Sequence, residues 1–279
     1  MENEKRYCLR IVCPDQKGLI ATAAQAIADE GGNIVDMSQH TATDIDTFIF
    51  RAIFEATSSF DHARFCSDFE EKYASRFSMR WRLIDLSIRQ QVAIFVSKTD
   101  HCLYELLLKH RDDELDCDFP CIISNHTDLK PVAEAFEIPF YHVRSDLSKA
   151  DQEAQFAEIT ARHKVDTIVL ARYMQVLRKE FTDLWQNQII NIHHGFLPAF
   201  KGAKPYHQAW AKGVKLIGAT AHYANEELDQ GPIIAQDVVE VEDRCSVADL
   251  VRMGKDVERR VLSRALKLHL QHSVFVYRD

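Results

Sequence analysis

Ile189-Ile190-Asn191-Ile192-His193-His194-Gly195-Phe196-Leu197-Pro198 opens as an apolar run and ends in an amide and an imidazole, before Gly195 and Pro198 break it into a loop. Read as a short buried strand, it delivers Asn191 and His193 to the strand's carboxyl end, where ligands bind in open α/β sheets. The flanking pattern agrees with that reading. Val92–Val96, Cys121–Ser124, Thr167–Ala171 and Leu216–Ala221 are further short apolar runs, separated by helical stretches such as Cys102–Arg111 and Gln152–His163. Such alternation predicts a mostly parallel, Rossmann-like sheet with helices on both faces. A last helix, about 247–270, is expected to turn Val247, Val251, Val257, Val261, Ala265 and Leu268 to the sheet.

The first part of the chain reads differently. Strand-like Tyr7–Val12 is followed by a turn at Pro14–Gly18 and a helix Leu19–Asp29, stopped by Gly31-Gly32. Two strands follow, Asn33–Gln39 and Thr47–Glu55. Asp61–Phe77 then spaces Phe65, Phe69, Tyr73 and Phe77 as one amphipathic helix, and Met79–Ile88 is a fourth strand. The order βαββαβ is the ferredoxin-like arrangement. Residues 1–88 and 89–279 are therefore expected to be separate domains, with Arg89-Gln90-Gln91 as the linker.

Composition bounds the function. The chain has 279 residues and a net charge of −8, so it lacks the positive field of a general nucleic-acid binder. No run approaches the ~18 apolar residues of a membrane helix. Seven scattered cysteines without a C-x-x-C pair fit reduced thiols in a cytoplasmic protein.

A carboxylate at Asp229, in Asp229-Gln230-Gly231-Pro232, would complete a triad with Asn191 and His193 suited to acyl chemistry without a metal. The amide and a protonated imidazole can donate to a developing oxyanion, and the carboxylate can orient water. On residue types alone, Asn191 reads equally well as a loop cap, His193 as a satisfied core histidine and Asp229 as a turn residue. His193, His194, His207, His222 and Asp229 also raise a metal reading. Adjacent histidines on an extended chain point to opposite sides, however, and no helical H-x-x-x-H is present, so no metal is expected. No G-x-S-x-G elbow supports a serine nucleophile. Ser97-Lys98-Thr99-Asp100-His101-Cys102 lacks the glycines of a phosphate cradle, which disfavours a phosphorylated acceptor.

Asn191-Ile192-His193, Leu197–Gly202 and Leu228–Pro232 resemble the folate-dependent formyltransferase family. Ala171–Leu177, Lys204–Ala209, Ile217–Tyr223, Ser97-Lys98 with His101-Cys102, and Cys13–Ile20 narrow the resemblance to formyltetrahydrofolate deformylases. The likeness implies hydrolysis of 10-formyltetrahydrofolate to tetrahydrofolate and formate, balancing one-carbon pools and supplying formate for purine synthesis; the alternative is formyl transfer to an amine. It implies Asn191, His193 and Asp229 as catalytic residues, and Arg172, Met174, Leu177, His222 and Asn225 as substrate-binding residues. No cofactor is implied beyond the folate substrate. Gly195 stands where that family carries serine, which puts the rigidity of the following loop in question. The N-terminal unit resembles ACT domains. That likeness implies a regulatory, subunit-pairing unit and a homo-oligomer. It also implies an amino-acid effector such as glycine or methionine, held where Asp15–Gly18 faces Asn33 and Ile34.

Overall fold

The structure is a computed structural model that describes residues 5–57, 60–199 and 205–277. The chain divides into two compact units, Met1–Arg89 and Gln90–Asp279.

The first unit runs β1 (Lys5–Pro14), α1 (Leu19–Asp29), β2 (Asn33–Ala42), β3 (Thr47–Ala56), α2 (His62–Phe69), α3 (Ser75–Phe77) and β4 (Arg80–Asp85). Its four strands form one antiparallel sheet in the order β2-β3-β1-β4, as the ferredoxin-like reading requires. Phe48, Phe50, Ala52 and Phe54 alternate along β3 into a core shared with Leu19, Ala23 and Ile27 of α1. The expected single helix over 61–77 contains a π-helical stretch, Glu70–Ala74, between α2 and α3. The aromatic spacing explains it. Residues four apart drift by about 40° per step around an α-helix, so Phe65, Phe69, Tyr73 and Phe77 would wind off one face. A local π turn brings the later rings back, and all four pack with this core.

The second unit contains β5 (Gln90–Val96), α4 (His101–Arg111), β6 (Cys117–Asp118), β7 (Ile122–Ser124), α5 (Lys130–Ala135), β8 (Phe140–His142), α6 (Lys149–Arg162) and β9 (Thr167–Leu170). It continues through α7 (Lys179–Leu184), β10 (Ile189–His193), α8 (Pro205–Ala211), β11 (Leu216–Tyr223), β12 (Ile233–Glu240) and α9 (Val247–Leu270). The sheet order is β12-β11-β10-β9-β5-β7-β8, with β6 beside β5. Strands β8 to β10 along that path are parallel, and β11 and β12 are antiparallel additions. Gln90 and Gln91, expected in the linker, are already strand residues paired with Cys117 and Asp118.

Helices α4 and α9 cover one face of this sheet, while α6 and α7 cover the other. The buried stripe of α9 is wider than expected. Val257, Val261 and Ala265 are buried, together with Leu250, Leu262, Leu266 and Leu270, whereas Val247, Val251 and Leu268 are only half-buried. A capping box between Ser246 and Asp249 starts this helix.

Candidate active site

Strand β10 lies between parallel β9 and antiparallel β11, which set Asn191 opposite His222 and His193 opposite Thr220. Alternate residues share a face of a strand, so Asn191 and His193 look the same way while Ile190 and Ile192 enter the core. Asp229 comes back to them from the loop between β11 and β12. That return depends on close packing: a Cβ at Gly231 would lie 1.7 Å from the Tyr223 carbonyl oxygen. Asp229 itself holds a left-handed φ of 58°, a conformation costly for a residue other than glycine.

The result is a compact polar cluster. The Asp229 carboxylate lies 3.1 Å from His193 Nδ1 and 3.8 Å from His222 Nε2. Burial alone would raise the Asp229 carboxyl, but hydrogen bonding to His193, with the His222 ring close by, holds it well below the usual carboxylate range. His222 Nδ1 faces the Tyr223 carbonyl at 2.9 Å, so that nitrogen carries a hydrogen. In the neutral ring Nε2 then accepts from Asn191 Nδ2 at 3.1 Å. One N–H of the amide is thereby fixed and the other is available to a ligand. A cavity of about 540 Å³ opens on Asn191, His193, His222 and Asp229.

The remaining substrate candidates separate. Arg172, Met174, Leu177 and Asn225 all line this cavity. Met174 is 58% exposed and Leu177 is buried, and both give the cavity apolar lining. The Met174 N–H donates to Ser97 Oγ at 3.0 Å, and that hydroxyl donates to Asn125 Oδ1 at 2.7 Å, so a buried pair pins the segment. Asn225 Oδ1 accepts from the Glu227 N–H and shapes its own loop. His222 sits on β11 rather than on that loop, and its contacts orient Asn191 and Asp229.

Hydrogen bonds tie the chain at Gly195 and Leu197. The buried Thr220 hydroxyl donates to the Gly195 carbonyl at 3.0 Å and accepts from the Leu197 N–H at 3.0 Å. Gln236 Nε2 donates to the same hydroxyl and to the Leu197 carbonyl. Three hydrogen bonds from β11 and β12 thus hold Gly195 and Leu197 without any side chain at 195.

A second cluster lines the same cavity, where Arg172, expected in the substrate site, joins His101, Tyr206 and Glu258, to which the sequence pattern assigns no role. Glu258, 1% exposed on α9, accepts from Tyr206 OH at 2.7 Å and from His101 Nε2 at 2.8 Å. Arg172 Nε lies 3.4 Å from the same carboxylate. Burial would raise the Glu258 carboxyl, but these partners hold it below its ordinary value. The available signal was a glutamate inside the apolar stripe of α9, beside Val257 and one turn before Val261 and Leu262. Among the described residues, His101, Cys102 and Glu258 form a group of metal-ligating type. Their chemistry does not fit a cation: Arg172 already stands beside the carboxylate, and burial pushes the Cys102 thiol well above its usual range.

The effector candidates are not brought together. Asn33 pairs Glu55, which pairs Arg6, while Pro14 pairs Thr47 and Thr47 pairs Ala42. Asn33 and Ile34 thus lie level with the start of β1, and Asp15–Gly18 follows its end. Eight residues of strand, about 27 Å at ~3.4 Å each, separate them. The expectation that the two segments face each other fails within one chain, because β1 and β2 run parallel on either side of β3.

The comparisons with known proteins bear on the whole chain. The Formyl transferase family model matches residues 90–266 and the ACT domain model residues 9–63. A formyltetrahydrofolate deformylase of Synechocystis sp. is 44% identical over 96% of this chain and 95% of its own length. One from Bacillus subtilis is 39% identical over 99% and 93%. The crystal structure of a formyltetrahydrofolate deformylase from Pseudomonas syringae superposes with a TM-score of 0.94 at 45% identity, covering 98% of this chain and 92% of that one. A glycinamide ribonucleotide transformylase from Symbiobacterium toebii shares 27% identity at a TM-score of 0.65, over 68% of this chain and 91% of that one. With an N-terminal ACT domain, a formyltransferase domain and full-length likeness to these hydrolases, the chain belongs to the formyltetrahydrofolate deformylase family.

Proposed function

We propose that this chain hydrolyses 10-formyltetrahydrofolate to tetrahydrofolate and formate, with Asn191, His193 and Asp229 as its catalytic residues. The observation that carries this reading is the buried contact between His193 Nδ1 and the Asp229 carboxylate at 3.1 Å, beside an Asn191 amide oriented by His222. Asp229, kept ionised, orients a water and takes up its proton as the oxygen bonds to the formyl carbon. Asn191 and protonated His193 donate to the oxyanion of the tetrahedral adduct, and a proton passes to N10 as the C–N bond breaks. Each such donor contributes on the order of 3–4 kcal/mol to transition-state stabilisation. Arg172, Met174, Leu177 and Asn225 are the proposed walls of the folate site, with His222 as a positioning residue.

Residues 1–88 form the regulatory and subunit-pairing domain of this proposal, and residues 89–279 the catalytic domain. The effector is a small molecule, with glycine and methionine as the amino acids to test. Asp15, Gly18, Asn33 and Ile34 could share one ligand only across two copies of the chain, which ties the effector to a homo-oligomer. No described helix is long and apolar enough to cross a membrane. The seven cysteines are free, which fits the proposed cytoplasmic location.

The test is formate release from 10-formyltetrahydrofolate without any added amine, with and without EDTA. Release of formate and tetrahydrofolate in equal amounts, unaffected by the chelator, is the expected result. A strict requirement for an amine acceptor would refute the hydrolytic reading, and loss of activity in EDTA would refute the metal-free one.

A further inference from the structure

The same domain fold occurs in glycinamide ribonucleotide transformylases, so something in this cavity must decide between water and an amine as nucleophile. We propose that Arg172, held by Glu258 with Tyr206 and His101, is the specificity-determining residue that bars bulky amine acceptors and leaves water to react. The inference rests on the deformylase reading above and gives Arg172, one wall of the proposed folate site, a second role outside the chemical step.

Three observations support it. First, Arg172 follows β9 with a φ of 64°, in the left-handed region that favours glycine. A long cationic side chain is present where the backbone conformation favours none. Second, the guanidinium is not held by good hydrogen bonds. Nε lies 3.4 Å from Glu258 Oε2, and Nε and Nη1 are buried without a hydrogen-bond partner. Charge pairing and bulk are what Arg172 supplies, and pairing cancels its attraction for an anionic acceptor. Third, the wall behind it is closed. Both oxygens of Glu258 are engaged by Tyr206 and His101, and a Cβ at Gly254 would lie 2.1 Å from the Tyr206 ring. The wall also reaches the reacting groups: the His194 ring lies 5.9 Å from that of Tyr206 and 5.5 Å from that of His193.

In the barred reaction the amine nitrogen would bond to the formyl carbon and lose a proton. The C–N10 bond would break and N10 would gain one, giving the formylated amine with no change of oxidation state. In the permitted reaction water takes the amine's place.

The experiment compares two nucleophiles of the same type but different bulk, hydroxylamine and O-benzylhydroxylamine, and measures formylated product against formate. In the wild-type enzyme hydroxylamine should divert some formyl groups, and the benzyl derivative essentially none. Arg172→Gly, which the φ of 64° accommodates, should raise the ratio of benzyl transfer to hydrolysis by about tenfold or more. Arg172→Gly with Glu258→Gln removes both charges together and serves if the single variant fails to fold. The ratio is independent of the fraction of protein folded, so a merely structural role would not move it. The proposal is overturned if wild-type enzyme transfers to both amines alike, or if a folded variant keeps the wild-type ratio. Wild-type formate release without amine tests the underlying hydrolase reading separately.

Discussion

Two polar clusters line one cavity and are built on opposite plans. Around Asn191, His193, His222 and Asp229 the groups orient one another, and the Asn191 amide keeps an N–H and the Asp229 carboxylate lone pairs for a ligand. Around Glu258, the carboxylate is enclosed by Tyr206, His101 and Arg172, and its charge is answered within the wall. Both carboxyls are buried and both are held below their ordinary values. A depressed carboxyl therefore does not by itself mark the reacting group. The difference lies in what remains for a substrate to bind, which is the ground for proposing chemistry at the first cluster and selection at the second.

The comparison breaks most visibly at Asp229. Asp229→Asn keeps the shape but removes the charge and the basic oxygen, and should lower kcat by about 10³-fold while the folate substrate still binds. Near-normal turnover would mean that the open cluster is no more catalytic than the closed one. At Glu258 the expected effect falls on stability. Glu258→Ala leaves Arg172 without its counter-charge and should destabilise the fold by on the order of 3–5 kcal/mol in urea melts. An unchanged melt would show that the closed cluster is not holding that wall.

A smaller effect sharpens the contrast through His194, which stands between the clusters. Burial first, and then the Arg172 charge, lower its pKa from 6.5 to about 4. Between those values the unfolded chain binds a proton that the folded ring does not, so stability falls as pH drops through that window, by up to about 1.4 kcal/mol per pH unit. Urea melts of wild type and His194→Gln at pH 7 and pH 5 would check this; the variant should lose this contribution to the slope. Asp229 acts in a lower window. Its pairing contributes fully above about pH 4, the unfolded carboxyl value, and is lost as pH falls towards its depressed folded value.

The open cluster was legible only in part. The apolar run Ile189–Ile192 placed Asn191 and His193 at a strand end, but residue types alone left all three groups equally readable as structural. It was the likeness of the surrounding motifs to formyltransferases that singled them out with Asp229. The βαββαβ unit was legible from the alternation in Thr47–Glu55 and the glycines after α1. The closed cluster was not, because its members come from four separate segments that meet only when α4 and α9 pack on the same face of the sheet. Strand β12 was missed as well. It lies at the sheet edge, and its doubled Ile233-Ile234 and Val238-Val239 give no clean two-residue alternation. The π stretch at 70–74 escaped because regular aromatic spacing predicts a helix without stating its pitch. The pairing of Asp15–Gly18 with Asn33 and Ile34 failed because strand register, not sequence proximity, decides which ends meet.

The central claim, that the open cluster adds water to the formyl carbon, is tested most directly by a single turnover in ¹⁸O-water without an acceptor. The account predicts formate carrying one solvent oxygen, formed in step with tetrahydrofolate. Formate free of solvent oxygen, or none until an amine is supplied, would contradict it.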